Sequence, residues 1–120
     1  MHYVTAGTGE PLVLLHGWPE TWYEWRRVIG PLSKRFHVIA PDLRGLGDTG
    51  RPDDGYDKRT ISEDIFKLLH DHLGIQRVCL VGHDWGGVVA WAVGALHPEL
   101  LSKLVILNAP HPQVFARELA

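Results

Sequence analysis

Short apolar runs alternate along this chain with stretches in which apolar residues recur every three or four positions. Leu12-Val13-Leu14-Leu15 is a continuous run that stops at His16-Gly17, as a strand buried on both faces does. His37-Val38-Ile39-Ala40, Val78-Cys79-Leu80-Val81 and Leu104-Val105-Ile106-Leu107 read in the same way. Between the first two runs, Trp22, Trp25, Val28, Ile29 and Leu32 stand at helical spacing behind a Thr21-x-x-Glu24 capping box. Pro31 is expected to end or bend that helix near its last turn. Thr60 and Glu63 form a second capping box ahead of an apolar stripe of Ile61, Ile65, Leu68, Leu69 and Leu73, with Gly74 placed to turn the chain out. A third helix is expected from about Gly86 to His97, stopped by Pro98. Its apolar residues, Val88 to Val93, cover most of its circumference and predict burial on nearly all sides.

Strand and helix in strict alternation predict an α/β fold, a mainly parallel sheet with right-handed crossovers and helices on both faces. Ligands bind such sheets beyond the carboxyl ends of the strands. His16-Gly17-Trp18-Pro19, Asp84 and Asn108-Ala109-Pro110 all fall there, as does a Gly-, Pro- and Asp-rich loop of about nineteen residues from Pro41 to Arg59. Connections that long are uncommon in a single domain and are often functional.

Composition narrows the class. At 120 residues, positions 1–120 make part or all of one domain. A chain 45% hydrophobic and 22% charged is ordinary for a soluble globular protein. The net charge of −2 with scattered Lys and Arg offers no footprint for nucleic acid or an anionic membrane. The single cysteine, Cys79, precludes an internal disulfide and lies in an apolar run, which predicts a buried, inert thiol. No run approaches the roughly 18 apolar residues of a membrane span, and His2 to Ala6 has neither the basic start nor the apolar stretch of a signal peptide. The default expectation is a cytoplasmic protein, with room for a segment ahead of Met1.

The chemistry centres on Gly82-His83-Asp84-Trp85-Gly86. Gly-x-nucleophile-x-Gly between a strand and a helix is the pattern of a nucleophile elbow. The sharp turn holds the central residue in a strained conformation, and flanking glycines let strand and helix come close. The alternative is an ordinary helix N-cap, which Asp also favours, although capping leaves the two glycines unexplained. An aspartate in place of serine is already ionised at neutral pH, with a reference pKa of about 3.9, and needs no base to activate it. A carboxylate suits displacement at saturated carbon. The product is an ester of the enzyme, and water must then cleave it with help from a base and from oxyanion donors. The backbone N–H groups of Trp85 and Trp18 occupy the two places this type of site uses for those donors. Trp18 also reads as an aromatic packing residue, and the two roles are compatible.

Among the eight histidines, His83 should point away from the site, while His70 and His72, two apart on a helix, face different ways. His16 and His111 fall in turns beside the site and are expected to orient backbone. No spacing suggests a zinc site, and no metal or cofactor is expected. Only 36 residues follow Asp84, too few for the acid and the histidine that come later in this fold, so the base is expected outside this chain.

His16-Gly17-Trp18-Pro19-Glu20, Pro41-Asp42-Leu43-Arg44-Gly45-Leu46-Gly47-Asp48, Gly82-His83-Asp84-Trp85-Gly86-Gly87 and Asn108-Ala109-Pro110-His111-Pro112 together resemble the epoxide hydrolases of the α/β-hydrolase superfamily. The resemblance covers nearly the whole chain. It implies Asp84 as nucleophile, the Trp18 and Trp85 main chain as oxyanion hole, and cofactor-free hydrolysis of a small-molecule epoxide to a vicinal diol by water. It also implies an N-terminal fragment, truncated before a helical cap with two tyrosines and before the last strands that carry the acid and the histidine. His2-Tyr3-Val4 then looks like the tail of a hairpin from an earlier strand. A dehalogenase of the same fold, haloalkane or haloacetate, is the nearest alternative. In haloalkane dehalogenases the tryptophan at the Trp85 position binds halide, but a small polar residue usually stands at the Trp18 position. A non-catalytic binding fragment is the alternative of another class. Without the later strands, the run at Leu104–Leu107 would lie on an open apolar edge, so the isolated chain is expected to aggregate or unfold in part. Oligomeric state and substrate size stay open.

Overall fold

A computed structural model describes residues 1–119. In chain order the elements are β1 (Tyr3–Ala6), β2 (Glu10–Leu15), a 3-10 turn (Trp22–Trp25) leading into α1 (Arg26–Leu32), β3 (Phe36–Pro41) and α2 (Lys58–Phe66). After them come β4 (Val78–His83), α3 (Trp85–Leu96), β5 (Leu101–Leu107) and α4 (Pro112–Leu119). The five strands form one sheet in the order β1-β3-β2-β4-β5. β2 to β5 run parallel, and β1 is antiparallel to β3, with Val4 opposite Ala40. All four apolar runs are strands. The N-terminal segment pairs with β3 at the sheet edge, not with its sequence neighbour β2.

The central strands are apolar on both sides because helices cover both faces. Val13, Leu15, Ile39 and Leu80 face α2 and α3, where Ile61, Ile65, Leu69, Val89 and Val93 complete one core. Leu12, Leu14, Val38 and Ala40 point the other way, beneath Trp22, Trp25, Ile29 and Leu32. Side chains alternate across a strand, so one four-residue run feeds two cores. Each fully buried Leu, Ile or Val contributes about 1.5–3 kcal/mol. Cys79 is half-buried, and burial pushes its thiol pKa up.

Several local expectations are corrected. Thr21 does cap the 3-10 turn, accepting from the Tyr23 amide at 3.2 Å, but the Glu24 carboxylate turns away to other partners. α2 begins earlier than its Thr60-x-x-Glu63 pattern predicts. Asp57 is the cap, bonded to the Thr60 amide (3.0 Å) and hydroxyl (2.8 Å), while Glu63 pairs with His97 at 2.7 Å. After Phe66 the helix loosens into a π-type turn over Lys67–His72 before Gly74, at φ 66°, releases the chain. α3 buries Gly86, Gly87, Val89, Ala90 and Val93, but Val88, Trp91 and Ala92 on its other side are only half-buried. β5 is an edge strand with Val105 and Leu107 exposed, as the open-edge expectation required.

The chain order places a switch point between β2 and β4. The chain leaves β2 toward β3 on one side, then crosses back to β4 on the other. A crevice opens at the carboxyl ends of two strands whose connections diverge in this way.

Candidate active site

Both glycines of the elbow are required by close approach. A Cβ on Gly82 would lie 2.4 Å from the Gly86 carbonyl oxygen, and one on Gly86 would lie 2.4 Å from the Leu15 oxygen and 2.5 Å from the His16 oxygen. α3 can therefore start directly behind β2 and β4, which pair Leu15 with Gly82. The turn leaves Asp84 at φ 55°, ψ −120°, a conformation costly for a residue with a side chain. Its amide donates to the Leu107 carbonyl at 3.0 Å, and its carbonyl accepts from Gly87 at 2.9 Å and Val88 at 3.2 Å.

The side chain of Asp84 makes no capping bond to α3. Satisfying the helix end is thus not what the carboxylate does. It is exposed at the mouth of a cleft of about 1090 Å³, also lined by Trp18, Tyr56, Ile61, Trp85, Val88 and Pro110. The Trp18 amide donates to Asp84 Oδ2 at 3.2 Å. Trp85 is the first residue of α3, where a backbone N–H has no partner within the helix and the helix end favours negative charge.

The Trp18 amide is aimed by its neighbours. Its peptide unit includes the Gly17 carbonyl, and that oxygen accepts from His16 Nδ1 and from the Glu20 amide, each at 2.8 Å. A planar peptide fixed at its C=O is fixed at its N–H. The fully buried His16 bonds through both ring nitrogens. Nδ1 faces a carbonyl and donates, while Nε2 accepts from the Leu43 amide at 2.9 Å. With both nitrogens committed, His16 joins the β2 and β3 loops. A Cβ on Gly17 would press to 2.7 Å from the Asp84 Cβ, so the loop rests directly against the elbow. Pro19, behind a cis Trp18–Pro19 bond, is exposed with Trp18, a residue 68% exposed and not the core packing residue its type suggests.

His83 stands edge-on to Trp25, with Nδ1 2.8 Å from Glu24 Oε2. The remaining histidines are engaged elsewhere: His2 with Asp42, His37 with Thr5, His70 with Asp71, His97 with Glu63. His72 meets the edge of Tyr3, and His111 the edge of Trp91. Among the described residues no histidine bonds to Asp84.

Two site-shaping residues carried no individual role in the sequence, and a third was expected to act elsewhere. Asp42, buried at the end of β3, accepts from the Trp22 amide (2.8 Å), the Asp48 amide (3.0 Å) and His2 Nδ1 (2.7 Å). Burial alone works to raise its pKa, but those bonds outweigh it and hold the carboxyl below its ordinary value. His2, Asp42 and Asp48 are close enough to suggest a metal site, their ligand atoms lying within 4.8 Å of one another. The oxygens of Asp42 are, however, already taken by these bonds, which clamp the long loop. Arg44 grips Asp64 on α2 with two bonds of 2.8 Å, anchoring the same loop along the cleft wall. Glu24 is the third: its capping-box spacing predicts a local bond, and its carboxylate goes instead to the Gly17 amide and toward His83.

The sheet, the switch-point crevice and the strained elbow define an α/β hydrolase, and the comparisons agree. The α/β hydrolase fold family matches residues 10–120. The soluble epoxide hydrolase of Corynebacterium sp. (strain C12) is 56% identical over 108 residues, which are 90% of this chain and 37% of that protein. Epoxide hydrolase 4 of Homo sapiens is 45% identical over 118 residues, 95% of this chain and 32% of that protein. An epoxide hydrolase of Bacillus megaterium solved with an inhibitor gives a TM-score of 0.92 at 38% identity, covering 98% of this chain and 42% of its own. The chain therefore belongs to the α/β-hydrolase fold family, and these relatives are named epoxide hydrolases. It spans about a third of the length of the curated relatives it matches.

Proposed function

We propose that the full-length protein carrying this chain hydrolyses epoxides to vicinal diols through a covalent ester on Asp84. The observation that carries the reading is the Asp84 carboxylate. It is held at φ 55° on the elbow, released from capping, open to the cleft, and bonded at Oδ2 by the Trp18 amide. The names of the relatives add the substrate class.

With Oδ2 engaged by Trp18, Oδ1 is the oxygen free to attack. It bonds to one epoxide carbon as the ring C–O bond breaks, and the ring oxygen leaves as an alkoxide that takes a proton. Oδ2 becomes the ester carbonyl oxygen and already lies at the donor. Water then adds to the Asp84 carboxyl carbon, giving up a proton to a base. The charge gathers on Oδ2 between the N–H groups of Trp18 and Trp85, where preorganised donors are most effective. The carbon–Oδ1 bond breaks, Oδ1 departs in the diol, and the oxygen from water remains in the carboxylate.

The chain's own residues supply the nucleophile and the donors. Each histidine is turned elsewhere, so the base belongs to another part of the protein, and the 120 residues alone do not turn over. The protein without a membrane-length apolar helix among its described residues acts on a small epoxide, with water as co-substrate and no cofactor. The assay offers the full-length protein a styrene-type epoxide and a chloroalkane. Diol formation that disappears in Asp84→Ala is expected. Halide release without diol would favour the dehalogenase reading instead.

A further inference from the structure

Glu24 belongs neither to the elbow nor to the oxyanion loop, yet its carboxylate reaches both. It lies in the 3-10 turn after that loop, and its side chain is 16% exposed. Oε1 accepts the Gly17 amide at 2.8 Å, and Oε2 lies 2.8 Å from His83 Nδ1. The second contact meets Nδ1 at an angle short of a hydrogen bond, and that nitrogen has no other partner. The firm bond is therefore the one to Gly17. Gly17 immediately precedes Trp18, the proposed donor, and His83 immediately precedes Asp84. One carboxylate thus bonds the residue before Trp18 and lies against the residue before Asp84.

We propose that Glu24 is a positioning residue for ester hydrolysis, keeping the Trp18 amide over Oδ2 through its bond to Gly17. The inference rests on the covalent mechanism above and adds a difference between its two halves. While the ester forms, negative charge leaves Asp84, so a donor at Oδ2 stabilises the starting carboxylate at least as well as the transition state. It does not speed that step. While the ester is hydrolysed, charge builds on Oδ2, and the donor counts fully. A residue that only held the fold together would affect both halves, or the amount of folded enzyme.

The test is rapid-quench single turnover of styrene oxide by the full-length protein, with intact-mass detection of the ester. Deleting an oxyanion donor outright costs about 10²–10³ in rate, and Glu24→Ala displaces one without deleting it. Ester formation within about threefold of wild type is expected, with hydrolysis at least about tenfold slower. The ester then accumulates, and kcat and KM fall together. Glu24→Gln keeps an oxygen that can accept from Gly17 and should hydrolyse the ester within about threefold of wild type. Glu24→Asp keeps the charge but draws it back by one methylene, and should be slower than Glu24→Gln. These two milder variants carry the test if Glu24→Ala does not fold. Equal slowing of both halves overturns the proposal, as does wild-type hydrolysis in Glu24→Ala or Glu24→Asp outperforming Glu24→Gln. If the wild type itself never shows an ester, the covalent mechanism fails first, and that result is distinct from the others.

Discussion

Two glycines in α3 make opposite demands, and replacing each by alanine separates them. Gly94 is an ordinary helical glycine: a Cβ there meets only Leu101 Cδ1 at 3.4 Å and Leu104 Cδ2 at 3.5 Å, normal contact with side chains that have room to shift. Alanine is better than glycine in a helix by about 1 kcal/mol, so Gly94→Ala should stabilise by up to that amount. Gly86 has the same helical preference, but its Cβ would sit 2.4 Å from the Leu15 oxygen, about 1 Å short of the 3.4 Å at which ordinary contact begins. The obstructing atoms are backbone carbonyls of β2, which cannot rotate away as a side chain does. Overpacking costs about 1–3 kcal/mol, and rigid neighbours place this case at the upper end. The clash wins. Gly86→Ala should destabilise by about 2 kcal/mol net and lie about 3 kcal/mol below Gly94→Ala. Urea denaturation of the full-length protein reads this directly. At a slope of about 1–3 kcal/mol per molar the two midpoints should differ by about 1 M or more. Coincident midpoints would refute the close approach of α3 to β2, and with it the account of why the elbow needs Gly86.

Two further substitutions probe the elbow and its clamp. Asp84→Gly and Asp84→Ala should both abolish diol formation, but at φ 55° the glycine variant should be the more stable by about 1 kcal/mol, measured by the same denaturation. Equal stabilities would mean that the elbow relaxes without cost. Asp42 has a folded-state pKa below its unfolded value, so its contribution is fully present above the ordinary carboxylate range and is lost as pH falls through the depressed folded value. In Asp42→Asn the decline of unfolding free energy from about pH 5 downward should therefore be shallower than in the wild type. An unchanged slope would show that the clamp does not depend on the charged carboxyl.

The sheet was legible because β2, β3 and β4 owe their character to burial on both faces, which leaves uninterrupted apolar runs; β5 keeps such a run although it lies at the edge with Val105 and Leu107 exposed. The elbow was legible for a related reason: Gly82 and Gly86 are forced by backbone contact, and a backbone demand shows in sequence as a fixed residue at fixed spacing. The side-chain partners did not show. Glu24 and Glu63 both matched the capping-box pattern, and both carboxylates go instead to residues outside their own helical turn, Gly17 and His83 for one and His97 for the other. A tertiary partner outcompetes a local one whenever the fold brings it closer, and sequence spacing holds no trace of that. Trp18 is the converse case. Its bulk suggested packing, but its contribution here is a main-chain N–H, which any residue but proline provides. The pairing of β1 was hidden because its partner, β3, is set by the edge of the sheet and not by the short turn that follows β1.

Everything functional in this account depends on an oxygen exchange inside one side chain. A single turnover of full-length protein in heavy-oxygen water, with enzyme in excess and followed by mass spectrometry of the peptide that contains Asp84, tests it most directly. The first diol released should carry no heavy oxygen, and the Asp84 carboxyl should gain one. A first-turnover diol already carrying the label, with Asp84 unlabelled, would mean that water attacks the epoxide itself, and the covalent mechanism would be wrong.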